Sequence, residues 1–221
     1  MAKLYIKSKS ENEIEFSLTN ITLSVANALR RVIISEVPKL AFDYVEITKN
    51  SSVFNDEYIA HRIGLLPLKC DDVIETIKYT QDCQCYSFCT DCSVEMYLSK
   101  KCDTNETMTV TTSDLISNDS RVKTTIKSNN EFISDDMPII KLKKGQEIVF
   151  KCYAVKGIGK DHAKWSSTTS VPYYYVETSP ETVEYNFTVL SDGSLESKHI
   201  ILSAIKVIKK KLSSLLIGLK D

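Results

Sequence analysis

Four cysteines, Cys83, Cys85, Cys89 and Cys92, sit within the run DCQCYSFCTDC. Their C-x-C-x-x-x-C-x-x-C spacing carries the clearest chemistry in the chain. Four thiolates on one tight loop close a tetrahedral site around zinc, with Zn–S bonds of about 2.3 Å. A set of four cysteines also suits an iron–sulfur cluster, so zinc is the expectation and iron–sulfur the alternative. The single residue between Cys83 and Cys85 makes a disulfide joining them geometrically poor. The run holds no histidine that would mark an open, catalytic coordination position. The site is therefore expected to be closed and structural, with metal binding and folding a single event. The remaining three of the seven cysteines, Cys70, Cys102 and Cys152, read as free thiols, with Cys152 buried in a strand.

Other chemical patterns fail on spacing. Gly157-Ile158-Gly159-Lys160 invites a phosphate-loop reading, but the glycine spacing is wrong and Asp161 follows the lysine where Ser or Thr is required. The three histidines are far apart in sequence and build no nucleophile–base constellation. His61 alone reads as a packed or surface histidine. Lys209, Lys210 and Lys211 sit inside an amphipathic pattern and read as its solvated face.

The elements that must position these residues follow from periodicity. Residues 3–18 hold two alternating runs around a polar SKSENE turn, which predicts a β-hairpin. Residues 20–38, NITLSVANALRRVIISEVP, predict a helix with Thr19, Asn20 or Thr22 as its cap and Pro38 as its stop. Val25, Leu29, Val32 and Ile33 mark one buried face, and further apolar residues widen it until it needs cover on more than one side. Asn27, Arg30 and Arg31 interrupt that surface, and paired arginines want carboxylate or phosphate partners. A strand follows at AFDYVEI, then a turn at 50–55 and a short helix over 58–66 with Asp56 and Glu57 at its start.

After Leu68 the character changes to short strand-like runs, near 94–99, 107–112, 121–127 and 138–142. This reads as a β-rich insertion between two pieces of another domain. Strands return at Glu147–Val155 and at 183–190. Ser194 or Ser197 is expected to cap a final helix. In it Ile201, Ile205, Ile208, Leu212, Leu215 and Leu219 repeat at a coiled-coil-like spacing. A rod of roughly 34 Å with that seam needs a surface to lie on, either the chain's own sheet or the sheet plus a partner helix.

The chain has 221 residues, 43% of them hydrophobic, enough for one large or two small cores. Its 28 basic and 29 acidic residues leave a net charge of −1, which argues against gripping a phosphate backbone as the main task. No signal pattern opens the sequence, and lysines break the apolar C-terminal stretch, so neither export nor a membrane span is expected.

Four stretches in this order, SVANALRRVIISEVP, NDEYIAHRIGLLPL, the cysteine loop and KGIGKDHAKW, resemble the alpha-like subunits of DNA-directed, multisubunit RNA polymerases. The likeness covers essentially the whole chain. It is greatest to the third-largest subunit of eukaryotic RNA polymerase II, with the archaeal counterpart of that subunit next. The equivalent subunit of polymerases I and III usually lacks the full cysteine set.

The resemblance implies an α+β fold. A dimerisation domain of antiparallel sheet with two long amphipathic helices, residues 1–46 and 146–221, is interrupted by a β-rich inserted domain, residues 47–145, carrying a zinc loop. It implies one structural Zn2+ on Cys83, Cys85, Cys89 and Cys92. It implies a non-catalytic assembly subunit that heterodimerises with a smaller alpha-like subunit. The partner interface would comprise Val25, Leu29, Val32, Ile33, Ile201, Ile205, Ile208, Leu212, Leu215 and Leu219. Asn27, Arg30, Arg31, Lys160, His162 and Trp165 would face the large core subunits, the second-largest among them. DNA and RNA would be reached only through the complex. The location would be the nucleus for a cellular eukaryote, and the cytoplasm or virion for a virus; the Lys-, Ile- and Asn-rich usage fits an AT-rich genome of either kind. Ser166 and Ser167 depart from the proline that relatives often carry there, and the sequence ends at Asp221, where many nuclear relatives run on. Two competing readings come from other classes. One is a free-standing zinc-containing nucleic-acid-binding regulator, which would need a basic groove. The other is a zinc hydrolase or transferase, which would need an open metal site.

Overall fold

The computed structural model describes residues 2–124, 136–179 and 182–219. In chain order the elements are β1 (Lys3–Lys9), β2 (Glu13–Thr19), α1 (Leu23–Ser35), β3 (Pro38–Asn50), α2 (Asp56–Gly64), β4 (Ser93–Lys101), β5 (Met108–Thr111), β6 (Ile116–Ser117), β7 (Pro138–Leu142), β8 (Glu147–Ile158), β9 (Thr168–Ser170), β10 (Tyr173–Ser179), β11 (Thr182–Ser191) and α3 (Ser197–Gly218). The fold is mixed α+β with antiparallel strand pairs. By compactness it forms two units, Met1–Lys39 with Ile158–Asp221, and Leu40–Gly157. The sequence reading drew its boundaries elsewhere, at 46/47 and 145/146; both choices for the first fall inside β3, and β8 separates the two choices for the second.

The first unit is a sheet in the order β1-β2-β11-β10, with β9 pairing β11 off that path. Register sets Phe16 opposite Phe187, and their rings stack at 5.1 Å; Tyr173 stacks on Phe187 at 5.2 Å. Ile14, Phe16 and Leu18 of β2 therefore share one face with Tyr185, Phe187 and Val189 of β11, and all six are buried. Helix α1 opens at Thr22, whose Oγ1 accepts the Val25 N–H at 3.4 Å, a cap that typically contributes about 1 kcal/mol. Asn20 takes a left-handed φ of 59° between β2 and this cap, a conformation that asparagine tolerates better than most residues. The helix buries Ala26, Leu29, Val32 and Ile33. Helix α3 buries only its first turns, through Ile200, Ile201 and Ala204, and contacts α1, β2 and β11. Lys39 is buried; its ammonium pairs with Asp192 and donates to the Ser166 carbonyl at 3.1 Å. That buried charge keeps its partners because losing them would leave it unsolvated.

The second unit holds a sheet in the order β3-β8-β4-β6 and a separate pair, β5-β7. The β4–β8 ladder runs from Ser93 opposite Val155 to Lys101 opposite Glu147, and its alternate residues Val94, Met96, Leu98, Ile148, Phe150 and Cys152 are buried. Helix α2 places Asp56 and Glu57 in its first turn and His61 and Arg62 in its last, which complements the helix dipole at both ends. It buries Ile59 and Ile63 and packs on β7.

Several local expectations shift. The first helix is shorter than 20–38 at both ends. The final helix has Glu196 at its cap position with no side-chain cap; Ser197 instead donates its hydroxyl to the Ser10 carbonyl at 2.8 Å. The strand expected at 121–127 is not formed over its described part, where Lys123 makes only an isolated bridge with Lys69; residues 125–127 lie outside the described residues. None of Cys70, Cys102 and Cys152 is in a disulfide, and Cys152 is buried as expected; Cys70 and Cys102 are buried as well.

Candidate functional site

The four clustered cysteines lie between a short 3-10 turn, Thr80–Asp82, and the first residue of β4. Lys156 on β8 steadies the approach: its ammonium donates to the carbonyls of Ile74 and Ile77 and sits 5.2 Å from the Tyr79 ring centre. The loop is tied by the Lys78 N–H to the Asp91 carbonyl at 2.9 Å, and by Cys92 and Ser93 N–H groups to the Cys89 carbonyl at 3.1 and 2.9 Å. Inside the loop Phe88 stacks on Tyr153 of β8 at 4.8 Å, with Tyr44 of β3 against both rings. This aromatic trio fastens the loop to the sheet.

The sulfurs converge. Cys83 to Cys89 and Cys85 to Cys92 are 3.6 Å apart, Cys89 to Cys92 is 3.7 Å, and all four lie within 4.8 Å of one another. A tetrahedron with metal–sulfur bonds of about 2.3 Å has edges of about 3.8 Å. The donor set therefore fits a closed four-sulfur shell, and the four cysteines can bind a metal ion. As thiols they perturb each other. Cys85 is pushed up to about 12, mainly by its hydrogen bond with Cys83. Cys89 is drawn down to about 7, mainly by the Asp91 backbone N–H. Burial raises Cys92. Sulfurs this close do not ionise together without a cation to balance them. Cys152 is a different case: burial drives its thiol far up, and it donates to the Met96 carbonyl at 3.5 Å.

The residues expected at a partner interface divide by burial. Leu29, Val32, Ile33 and Ile201 belong to the first unit's own core. Val25, Ile205, Leu212, Leu215 and Leu219 are exposed, and Ile208 is half-buried. From Lys209 to the end of α3 and on to its C-cap Leu219 every residue is exposed, with Leu219 reaching 82%.

The expected core-subunit residues also divide. Arg30, Arg31 and Lys160 meet in a groove of about 710 Å³ between α1 and α3, whose α3 wall includes Leu212 and Leu215. Arg30 is held by Asn27, whose Oδ1 accepts from Nε at 3.2 Å and from Nη2 at 2.9 Å. Lys160 reaches the groove because its N–H donates to the Ser35 carbonyl at 2.7 Å. Gly159 permits that approach: a Cβ there would lie 2.8 Å from the Ile34 carbonyl oxygen. His162 lies outside the groove, exposed, its Nδ1 accepting the Lys164 N–H at 3.0 Å. Trp165 is largely buried under the Lys164 ammonium, 4.4 Å from the ring centre. The sequence reading missed the ion pair of Glu36 with Lys211, at 2.5 Å, which closes one side of this groove. No spacing rule links partners that far apart in the chain.

An antiparallel sheet with two helices, together with a β-rich unit that carries four cysteines able to hold a metal ion, defines a scaffold rather than a catalytic centre. Comparison with known proteins gives that scaffold a family. Residues 45–174 match the RNA polymerase Rpb3/RpoA insert domain. DNA-directed RNA polymerase II subunit rpb3 of Dictyostelium discoideum is 46% identical over 176 residues, covering 78% of this chain and 57% of the relative. The RPB3 subunit of Schizosaccharomyces pombe is 43% identical over 178 residues, covering 77% and 58%. DNA-directed RNA polymerase subunit Rpo3 of Methanocaldococcus jannaschii is 35% identical over 210 residues, covering 95% and 92%. The chain belongs to the Rpb3/RpoA family of RNA polymerase subunits. It spans a little over half the length of the two eukaryotic relatives and most of the archaeal one.

Proposed function

We propose that this chain is a non-catalytic assembly subunit of a DNA-dependent RNA polymerase. It heterodimerises with a smaller alpha-like subunit and forms the platform on which the largest and second-largest subunits assemble. The observation that carries the reading, beside family membership, is the far half of α3. Leu212, Leu215, Leu216 and Ile217 are 57–65% exposed there, on a helix whose buried side chains lie only in its first turns. An apolar rod of that kind is stable in water only when something covers it. Val25 of α1 adds to the same interface, while Leu29, Val32, Ile33 and Ile201 support it from beneath. The groove with Arg30, Arg31 and Lys160, flanked by Asn27, His162 and Trp165, is the contact with the large subunits. In this reading residues 1–46 and 146–221 form the dimerisation domain and residues 47–145 the insert.

Cys83, Cys85, Cys89 and Cys92 hold one structural zinc ion in this reading. The metal supplies a cross-link and no reaction chemistry; the chain's part is to present four convergent sulfurs on a loop clamped by Phe88. Elemental analysis of the purified chain tests it, with about one zinc per chain expected and iron with visible absorption opposing it. For a eukaryotic source the complex works in the nucleus, and DNA and RNA are met only through it.

Affinity purification of the tagged chain from its native source tests the assembly role. Two very large chains and one small alpha-like chain in near-equal amounts support it. Recovery of the chain alone opposes it, and steeply salt-dependent DNA binding by that lone chain would favour a free-standing zinc-containing regulator.

A further inference from the structure

We propose that the cysteine loop is a redox switch: a hydroperoxide converts its four thiolates into two disulfides, Cys83–Cys89 and Cys85–Cys92, and the loop lets its metal ion go. The switch rests on the zinc reading for the ion it releases, and on the positions of the sulfurs for the pairing. Four cysteines allow three pairings. One joins Cys83 to Cys85 across a single residue, which disulfide geometry disfavours. The Cys89–Cys92 contact at 3.7 Å belongs to that pairing and falls with it. The two shorter contacts, 3.6 Å each, join Cys83 to Cys89 and Cys85 to Cys92, and together they use every cysteine once.

Access and restraint favour this chemistry here. Cys83, Cys85 and Cys89 are half-buried, and their neighbours Gln84, Tyr86 and Ser87 are exposed, so a small oxidant reaches the sulfurs. Cys92 is buried and enters second, as the sulfur that attacks the oxidised Cys85. Cys70, Cys102 and Cys152 are fully buried and are spared. Phe88 stacked on Tyr153, and the Lys78 N–H on the Asp91 carbonyl, hold the loop in place whether or not an ion is bound. The four sulfurs therefore pair with one another and not with a second chain. In each pair one thiolate attacks a peroxide oxygen; the O–O bond breaks, hydroxide leaves and a sulfenic acid forms. The second sulfur attacks that sulfenic acid; the S–S bond forms, the S–O bond breaks and water leaves. Each disulfide thus consumes one hydrogen peroxide, two thiolates and two protons and yields two waters. As the thiolates are consumed the loop has no donors left for the ion, yet it stays closed by covalent bonds. A thiol reductant reverses the change.

Oxidation of the purified full chain with hydrogen peroxide tests it. Zinc is counted first by elemental analysis, which tests the zinc reading by itself. After peroxide and desalting, bound zinc is expected to fall from about one ion per chain to near zero. Tandem mass spectrometry of the unreduced tryptic peptide Tyr79–Lys100 is expected to show Cys83 bonded to Cys89 and Cys85 to Cys92. Cys70, Cys102 and Cys152 are expected to alkylate as free thiols once the chain is denatured. Dithiothreitol with added zinc is expected to restore the thiols and the ion. The oxidised loop is expected to resist a protease that cuts the chelated, reduced one. Overturning results are Cys83 bonded to Cys92 and Cys85 to Cys89, a Cys83–Cys85 bond, sulfinic acids in place of disulfides, or loop thiols that survive while Cys70, Cys102 or Cys152 oxidises. A chain that lacks zinc yet forms both disulfides refutes the zinc reading and leaves the pairing standing. A chain that holds zinc and forms neither refutes the switch.

Discussion

Asp119 illustrates how a single side chain ties stability to pH. Its carboxylate takes Nε and Nη2 of Arg121 at 3.0 and 2.7 Å and the Arg121 backbone N–H at 3.0 Å, and the guanidinium holds it below the usual carboxylate range. A carboxylate whose folded value is depressed adds stability above its unfolded value of about 3.9 and loses it as pH falls through the folded value. The pair is near the surface, so Asp119→Asn should cost under about 1 kcal/mol at pH 7. Urea titrations between about pH 2 and pH 4 should then show a shallower pH slope for the variant than for the parent; equal slopes would mean the pair is solvated away. At the cysteine loop, Cys85→Ser should lower the proposed bound metal well below one ion per chain after dialysis, measured by elemental analysis. These four sulfurs were legible from sequence because the loop that gathers them is local. The buried pair of Lys39 with Asp192 was not, since its partners are 153 residues apart and only the fold brings them together.

Among elements, α3 separates packing from docking along one helix. Ile201 is 6% exposed and Ala204 is fully buried, while Ile205 and Leu212 on the expected seam are 44% and 57% exposed. Ile201→Ala should therefore destabilise the chain by about 2–4 kcal/mol through cavity formation. Ile205→Glu with Leu212→Glu should change its melting by little, within about 0.5 kcal/mol for each exposed site, yet abolish binding of the small alpha-like subunit. Size-exclusion chromatography of the mixed subunits reads the second effect and thermal denaturation the first. Retained binding by the double variant would count heavily against the α3 interface. The helical period was visible in sequence, but it could not tell the stretch buried at home from the stretch left open. Strands show the same limit. β4, β8 and β11 were legible because one face is buried and forces alternation, and β7 because its apolar residues stand in a short β-branched run. β10, with Tyr173, Tyr174 and Tyr175 in succession, was missed: it lies at the sheet edge, where Tyr174, Tyr175 and Val176 are all exposed and no buried face imposes a period.

At the scale of the whole molecule, the two compact units carry different tasks in the proposed assembly, and the two should be separable by experiment. The cysteine loop and its aromatic clamp belong to Leu40–Gly157, and the exposed rows of α1 and α3 belong to the other unit. Structural zinc supplies folding free energy to the segment it cross-links. Removing the proposed zinc ion with a chelator should then expose residues 83–92 to limited proteolysis, with cleavage products mapped by mass spectrometry. Heterodimerisation should survive the same treatment, because no cysteine lies in α1 or α3. The Ile205→Glu/Leu212→Glu chain should behave in the opposite way, keeping about one metal ion while losing the partner. If chelation alone dissolves the heterodimer, the two units are energetically coupled and the metal staple acts on assembly as well as on its own loop. If neither treatment affects binding, the partner surface lies elsewhere on the first unit's sheet, and the exposed Leu4 and Ile6 of β1, which continue the Phe16 and Leu18 face, become the residues to change next.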